Sequence, residues 1–287
     1  MTTLHRPLAL AYSVDADDAF MFHAVRESLI DSDGLTFVHQ RADTAALNRL
    51  ALTGGADVVA ISAGVYPAVA AQYQLLPHGA SVGRGFGPVV VARQPMTTAA
   101  LAGARVGIPG LTTTAWLVLR LIQPRAVPVE IPIAPFAGIF EALERGQIDA
   151  ALLIHEGRML YPARGLHKVV DLGEWWQAET ALPLPLGVNV IRRALGPALV
   201  RRASEVLRQS IAYALDHRGS LIASIAAEDR GDKALADKNL IDEYLKLYAN
   251  NDTAAMADDA RQATAVLFER ARAAGLLNAE VAVDWAE

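Results

Sequence analysis

Apolar and polar positions along the chain switch between a period of two and a period near 3.6, and the switches mark out elements. "LALAYS" (8–13) predicts a first strand, "DDAFMFHAVRESL" (17–29) a helix opened by acidic residues, and "LTFVHQ" (35–40) a second strand. "TAALNRLALTGG" (44–55) predicts a helix capped by Thr44 and stopped by glycines, and "DVVAIS" (57–62) a buried strand. The middle repeats the theme. "RVGIPG" reads as strand and tight turn, "TTTAWLVLRLI" as a helix entered through three threonines, "VPVEIPI" as a strand, "FAGIFEALERGQ" as a helix and "IDAALLIH" as a strand. From about Leu195 only the helical period remains, with Leu199, Val200, Ala203, Val206, Leu207, Ile211 and Ala214 on one stripe. Strand and helix in alternation predict an α/β protein with parallel sheets.

Two segments, "LALTGGADVVAIS" and "ALERGQIDAALLIH", are the same device: a helix ended by glycine, an aspartate, an apolar strand, then a polar residue at its carboxyl end. Ser62 and His155 therefore occupy equivalent places in two half-molecules. Ligands of open parallel sheets sit beyond the carboxyl ends of the strands, so two facing sheets would put Ser62 and His155 on opposite walls of one cleft. The expected division is a large lobe of residues 1–92 and 193–287 with a helical tail, and a small lobe of 93–192. Short strands near "GPVVVAR" (87–93) and "LGVNVIRR" (186–193) make the crossings.

Composition narrows the function classes. The 287 residues suit two domains of ordinary size, and the net charge of −5, with no basic stripe interleaved with aromatics, speaks against nucleic acid as a partner. The absence of cysteine excludes disulfides, thiolate metal sites and a cysteine nucleophile together. "MTTLHRPLALAYS" carries an apolar run too short for a signal peptide core or a membrane span, which makes a cytoplasmic protein the expectation.

Four stretches carry candidate chemistry. The first is His155. "HEGRM" approaches the HExxH zinc signature, but Met159 stands where the second ligand belongs and the preceding run is strand; the other six histidines are scattered, so no metal is expected. What remains is a general base, suited by a neutral imidazole near pKa ~6.5, or a buried histidine satisfied by backbone. In "PGLTTTAWLVL" (109–119), Thr113 and Thr114 at a helix start offer hydroxyls and free N–H groups to a carboxylate or phosphate, or serve as caps only. In "SVGRGFGPVVVAR" (81–93), Arg84 could clamp a carboxylate bidentately or lie solvated on a glycine loop; no helix follows, so it is not a dinucleotide fingerprint. Of Trp175 and Trp176, one should be core and the other could line the cleft. "DADD" (15–18) reads as a helix N-terminus carrying favourable charge.

Taken together, "GRGFGPVVVAR", "IPGLTTTAWLVLRL", "LLIHEGRMLYPARGLHKVVDLGEWW" and "LPLPLGVNVIRR" resemble the 1,4-dihydroxy-6-naphthoate synthases of the futalosine route to menaquinone, through most of residues 8–216. The resemblance implies a two-lobed, periplasmic-binding-protein-like fold of type II with a cleft between the lobes. It implies a lyase that converts cyclic dehypoxanthinyl futalosine to the naphthoate without a cofactor, with His155 as base. Ala60, Ile61, Ser62, Thr113 and Thr114 would hold the small carboxylated substrate. The chain departs from the family in "VDADD", where a Pro-Cys-Pro-Asn-Asp type turn is usual, and at Ala60 and Ala63, where lysine and tyrosine are common. The alternatives are a chorismate dehydratase-like relative or a binding protein for a small carboxylated aromatic solute, which the fold alone would equally allow.

Overall fold

A computed structural model describes residues 6–133, 137–228, 233–278 and 280–286. Among the described residues eleven strands form two sheets. The chain lays down β1 (Leu8–Ser13), β2 (Phe37–Ala42), β3 (Val58–Ser62), β4 (Tyr73–Leu75) and β5 (Ser81–Gly83) in the first. It crosses to build β6 (Val89–Ala92), β7 (Arg105–Ile108), β8 (Val127–Glu130), β9 (Ala150–Leu153) and β10 (His167–Asp171) in the second, and returns with β11 (Leu184–Arg192). The strand orders are β2-β1-β3-β11-β4, with β5 also on β11, and β10-β6-β9-β7-β8. The predicted parallel units are present as β2-β1-β3 and β8-β7-β9, and the two crossing strands, β6 and β11, run antiparallel to their neighbours. The fully apolar sequences of β6 and β9 are buried along their whole length, as strands covered on both faces must be.

Because β6 pairs with β9 and β10, and β11 with β3, β4 and β5, sheet membership moves each limit of the sequence reading by one strand. We propose lobes that follow the sheets: 6–83 with 184–286, and 88–171.

Two local expectations are corrected. The single helix over 17–29 is two short helices, Ala16–Met21 and His23–Arg26. The Ser210 hydroxyl donates to the Met21 carbonyl (2.7 Å) and accepts from the Val25 N–H (3.2 Å), taking both ends of the bond that would have joined the turns. The helix Thr44–Leu52 is capped not by Thr44 but by Asp43, whose carboxylate accepts from the Ala46 N–H at 2.7 Å. Thr44 is thereby free to use its hydroxyl elsewhere. The helix expected from Phe136 is described from Ala137 to Glu144; Phe136 itself lies outside the described residues.

The C-terminal helices cover the first lobe. On the helix Pro197–Asp216 the predicted stripe is buried, Leu199 only partly, with Val200, Ala203, Val206, Leu207 and Ile211 packed among Leu8, Leu10, Tyr12, Val58 and Ile191 of the sheet. Burial of each large apolar side chain there stabilises by roughly 1.5–3 kcal/mol. In the helix Lys238–Tyr248, Ile241, Tyr244, Leu245 and Tyr248 repeat at three- and four-residue intervals and pack on Ala16, Ala19 and Phe20. That face carries Tyr244 to the carboxyl ends of the sheets. Among the described residues no helix is long and apolar enough to cross a membrane.

Candidate active site between the sheets

A cavity enclosing about 740 Å³ of free space, mouth included, opens between the carboxyl ends of β3 and β9. Its lining is mainly apolar, with a few convergent polar groups, as small-molecule sites are. Ala60, Ile61, Ser62, Thr113, Thr114 and His155 all line it, so the structure brings together six of the seven residues singled out from sequence.

Arg84 is the exception. Its guanidinium is held bidentately by Asp252 (2.7 and 2.8 Å) and again by Asp259 (2.7 and 3.0 Å), tying the glycine loop to the C-terminal helices and leaving no donor pair for a ligand. Two of the loop's glycines, Gly83 and Gly87, serve packing, a Cβ on Gly87 standing 2.8 Å from the Gly173 nitrogen, while Gly85 holds a left-handed backbone, φ 76°. Neither tryptophan lines the cavity. Trp176 is fully buried, its indole N–H donating to the Pro183 carbonyl at 3.0 Å, and Trp175 packs partly buried beside it.

His155 lies two residues past the end of β9 and adopts a left-handed backbone, φ 49°, a conformation that non-glycine residues hold only when their surroundings fix it. Three contacts do so. Nε2 lies 3.1 Å from the Thr44 hydroxyl and 3.3 Å from Asp15 Oδ2, and Nδ1 lies 3.2 Å from the Tyr244 hydroxyl. All three partners come from the first lobe or its helical tail. Burial pushes the imidazole pKa down, but the carboxylates of Asp15, Asp17, Glu156 and Asp18 outweigh it, and the net effect is a pKa above the ordinary histidine value. The "DADD" turn, read from sequence as a helix N-terminus, is thus the electrostatic surrounding of the histidine.

The acids are themselves perturbed. Burial, then the neighbouring Asp17, raises the Asp18 carboxyl to about 7, against a short bond from the Ser13 N–H (2.6 Å). Burial likewise raises Asp17, with His155 opposing and Asp15 assisting; its Oδ2 accepts from the Ser81 hydroxyl at 2.9 Å. Tyr244 is raised well above the ordinary phenol, first by burial and then by Asp17, Glu156 and Asp15. It is a neutral hydroxyl on the cavity wall.

The opposite wall carries Ser62 and the start of the helix Thr114–Ile122. Ser62 is fixed by Asn48, which accepts its N–H (2.9 Å) and donates to its hydroxyl oxygen (3.1 Å), leaving the serine proton to donate. Thr113 is a true cap, accepting from the Trp116 N–H at 3.2 Å and donating to the Gly110 carbonyl at 2.9 Å. The Thr114 hydroxyl donates to the Leu186 carbonyl (2.7 Å) and accepts from the Gly64 N–H (3.0 Å). Both threonine hydroxyls are therefore committed internally. What the helix Thr114–Ile122 still offers is its first N–H groups, at the wall residues Thr114 and Ala115, with the positive end of the helix behind them. Sequence reasoning missed Thr44, Asn48 and Tyr244, whose ties to Ser62 and His155 exist only in the fold.

Comparison with known proteins gives one consistent neighbourhood. Residues 8–273 match a family described as menaquinone biosynthesis. A 1,4-dihydroxy-6-naphthoate synthase of Thermus thermophilus is 38% identical over 269 residues, covering 94% of this chain and 95% of the relative. One from Streptomyces coelicolor is 37% identical over 279 residues, 95% of each chain. A crystal structure of a protein from Archaeoglobus fulgidus superposes with a TM-score of 0.87 at 38% identity, covering 94% of this chain and 98% of that one. An alkanesulfonate-binding protein of Xanthomonas axonopodis, 15% identical with a TM-score of 0.70 over 98% of each chain, shows the fold alone: the two-lobed periplasmic-binding-protein architecture.

Proposed function

The chain belongs to the menaquinone biosynthesis family, and from that premise we propose that it cleaves cyclic dehypoxanthinyl futalosine to 1,4-dihydroxy-6-naphthoate, with His155 as the general base. It is an enzyme of the lyase type, as its synthase relatives are. The observation that carries the assignment of the base is the placing of His155: an imidazole on the cavity wall, oriented through both ring nitrogens by groups from the other lobe.

In this reading the substrate carboxylate lies at the start of the helix Thr114–Ile122, against the N–H groups of Thr114 and Ala115 and the Ser62 hydroxyl, with Ala60 and Ile61 flanking the ring. The sugar-derived hydroxyls face His155. Neutral imidazole takes a hydroxyl proton, the oxygen's electron pair forms a carbonyl as the adjacent carbon–carbon bond breaks, and the electrons released complete the aromatic naphthoate. Aromatisation supplies the driving force, and the three-carbon piece leaves as the new carbonyl compound. The histidine needs to be unprotonated at the start, so turnover rises with pH through its titration. The biosynthetic relatives support a cytoplasmic setting for this reaction.

The purified chain, given cyclic dehypoxanthinyl futalosine and no added metal or nucleotide, is expected to release the naphthoate, measurable by its absorbance and by mass spectrometry. Ligand recovered unchanged from folded protein after prolonged incubation would overturn the synthase reading in favour of a solute-binding one.

A further inference from the structure

We propose that Asp15 is the positioning residue of His155: its buried carboxylate faces imidazole Nε2, fixes the proton on that nitrogen, and leaves Nδ1, on the Tyr244 side, as the basic atom. The inference rests on His155 being the base, as proposed above.

Asp15 stands at the N-cap position of the helix Ala16–Met21, with the extended backbone (φ −70°, ψ 161°) of a capping residue. Aspartate in that place ordinarily accepts from the N–H of the second or third helical residue, yet here the side chain makes no cap hydrogen bond. It turns instead toward His155, where Oδ2, buried and without a hydrogen-bond partner, lies 3.3 Å from Nε2 as a charge contact. The backbone around it is pinned to hold that direction. The Asp15 N–H donates to the Ser13 hydroxyl at 3.0 Å, and the Ala16 N–H to Glu156 Oε1 at 3.2 Å, which ties the turn to the residue next to the histidine.

The other charged and titratable groups around the imidazole have other engagements. Asp17 takes the Ser81 hydroxyl and Asp18 the Ser13 N–H; Glu156, from the histidine's own turn, takes the Ala16 N–H. Tyr244, from the C-terminal helix, sits at the opposite nitrogen. The charge of a carboxylate 3.3 Å from Nε2 favours a proton on that nitrogen, the Thr44 hydroxyl accepts it, and a phenol beside Nδ1 donates to a lone pair. Together they select one tautomer, with the substrate's proton reaching Nδ1 directly or through the Tyr244 hydroxyl, which lines the same cavity.

The test is Asp15→Asn, which keeps shape and removes charge. The expected result is a kcat lower on the order of 10- to 100-fold, part of the 10²–10⁴ that a general base supplies, with KM within about twofold and the acidic limb of the pH–rate profile moved to lower pH. Independently of activity, nitrogen NMR of imidazole-labelled protein, with the His155 signals assigned by their loss in His155→Asn, should show the Nε2–H tautomer in the wild type. In Asp15→Asn the His155 titration should move to lower pH. Should Asp15→Asn fold poorly, Asp15→Ser carries the same expectation. An unmoved His155 titration in a folded variant, whatever happens to kcat, or an Nδ1–H tautomer in the wild type, would overturn the proposal. Because the NMR arm needs no turnover, its outcome is separate from failure of the synthase assay.

Discussion

Thr114→Val exchanges one hydroxyl for a methyl at a buried position, which makes its effect calculable. The hydroxyl donates to the Leu186 carbonyl at 2.7 Å and accepts from the Gly64 N–H at 3.0 Å, so a residue at the start of a second-lobe helix is bonded to β11 and to the turn after β3 in the first lobe. Valine has nearly the same volume and leaves no cavity. The loss is two hydrogen bonds, each worth about 0.5–1.5 kcal/mol net, plus part of the penalty for two backbone groups left unpaired in partly buried surroundings. A destabilisation of roughly 2–4 kcal/mol follows, which for a chain of this size lowers Tm by about 4–8 °C. Denaturant unfolding followed by tryptophan fluorescence, with calorimetry alongside, reads both numbers. Thr114→Ser is the control: it keeps the oxygen and gives up one methyl, about 0.8 kcal/mol. Valine as stable as serine, or within about 0.5 kcal/mol of the wild type, would refute the argument that the hydroxyl joins the two lobes.

Replacing His155 by asparagine, which tolerates a left-handed backbone, should keep fold and ligand affinity while lowering turnover on the order of 10²- to 10⁴-fold, checked by steady-state kinetics and equilibrium binding. Arg84→Leu should cost about 1–3 kcal/mol in thermal unfolding, because the Asp252 carboxylate it leaves behind is buried, yet leave KM unchanged; a raised KM would return Arg84 to the binding site. Asp18 holds its proton to about pH 7 in the folded chain, chiefly through burial, against a carboxyl value of 3.8 in the unfolded one. The folded state therefore binds more protons between those values, and its stability falls as pH rises from about 4 to about 7. Asp18→Asn should remove that fall, showing its gain in Tm above pH 7 and none below pH 4.

The walls of the cavity were legible in sequence because strand ends are local features. An apolar run closing on Ser62 or on His155 announces both the strand and the residue left at its carboxyl edge. What surrounds those residues was not legible. Tyr244 sits in a helix whose apolar spacing is fully explained by packing, and it reaches a histidine 89 positions earlier. Asp15 belongs to an acidic run whose ordinary use is a helix start, and nothing local tells that its side chain abandons the cap. Arg84 failed in the opposite sense. A guanidinium on a glycine loop suits a ligand carboxylate, but carboxylates 168 and 175 residues away had already taken it. The break at Phe22 has the same origin, since the serine that interrupts the helix is supplied by residue 210.

The position of β11 also bears on the order in which the molecule can assemble. The second sheet draws all its strands from one stretch, Val89 to Asp171, and is complete when that stretch has left the ribosome. The first sheet is not: β4 and β5 have their pairing with β11, and β3 meets it at Gly187↔Ser62, across a loop of more than a hundred residues. Closing so long a loop costs entropy before any pairing is returned. The inserted lobe is thus the part able to mature early, while the lobe that contains β1 waits for β11, and the histidine, anchored in the early lobe, gains its three partners only when the late one closes around it.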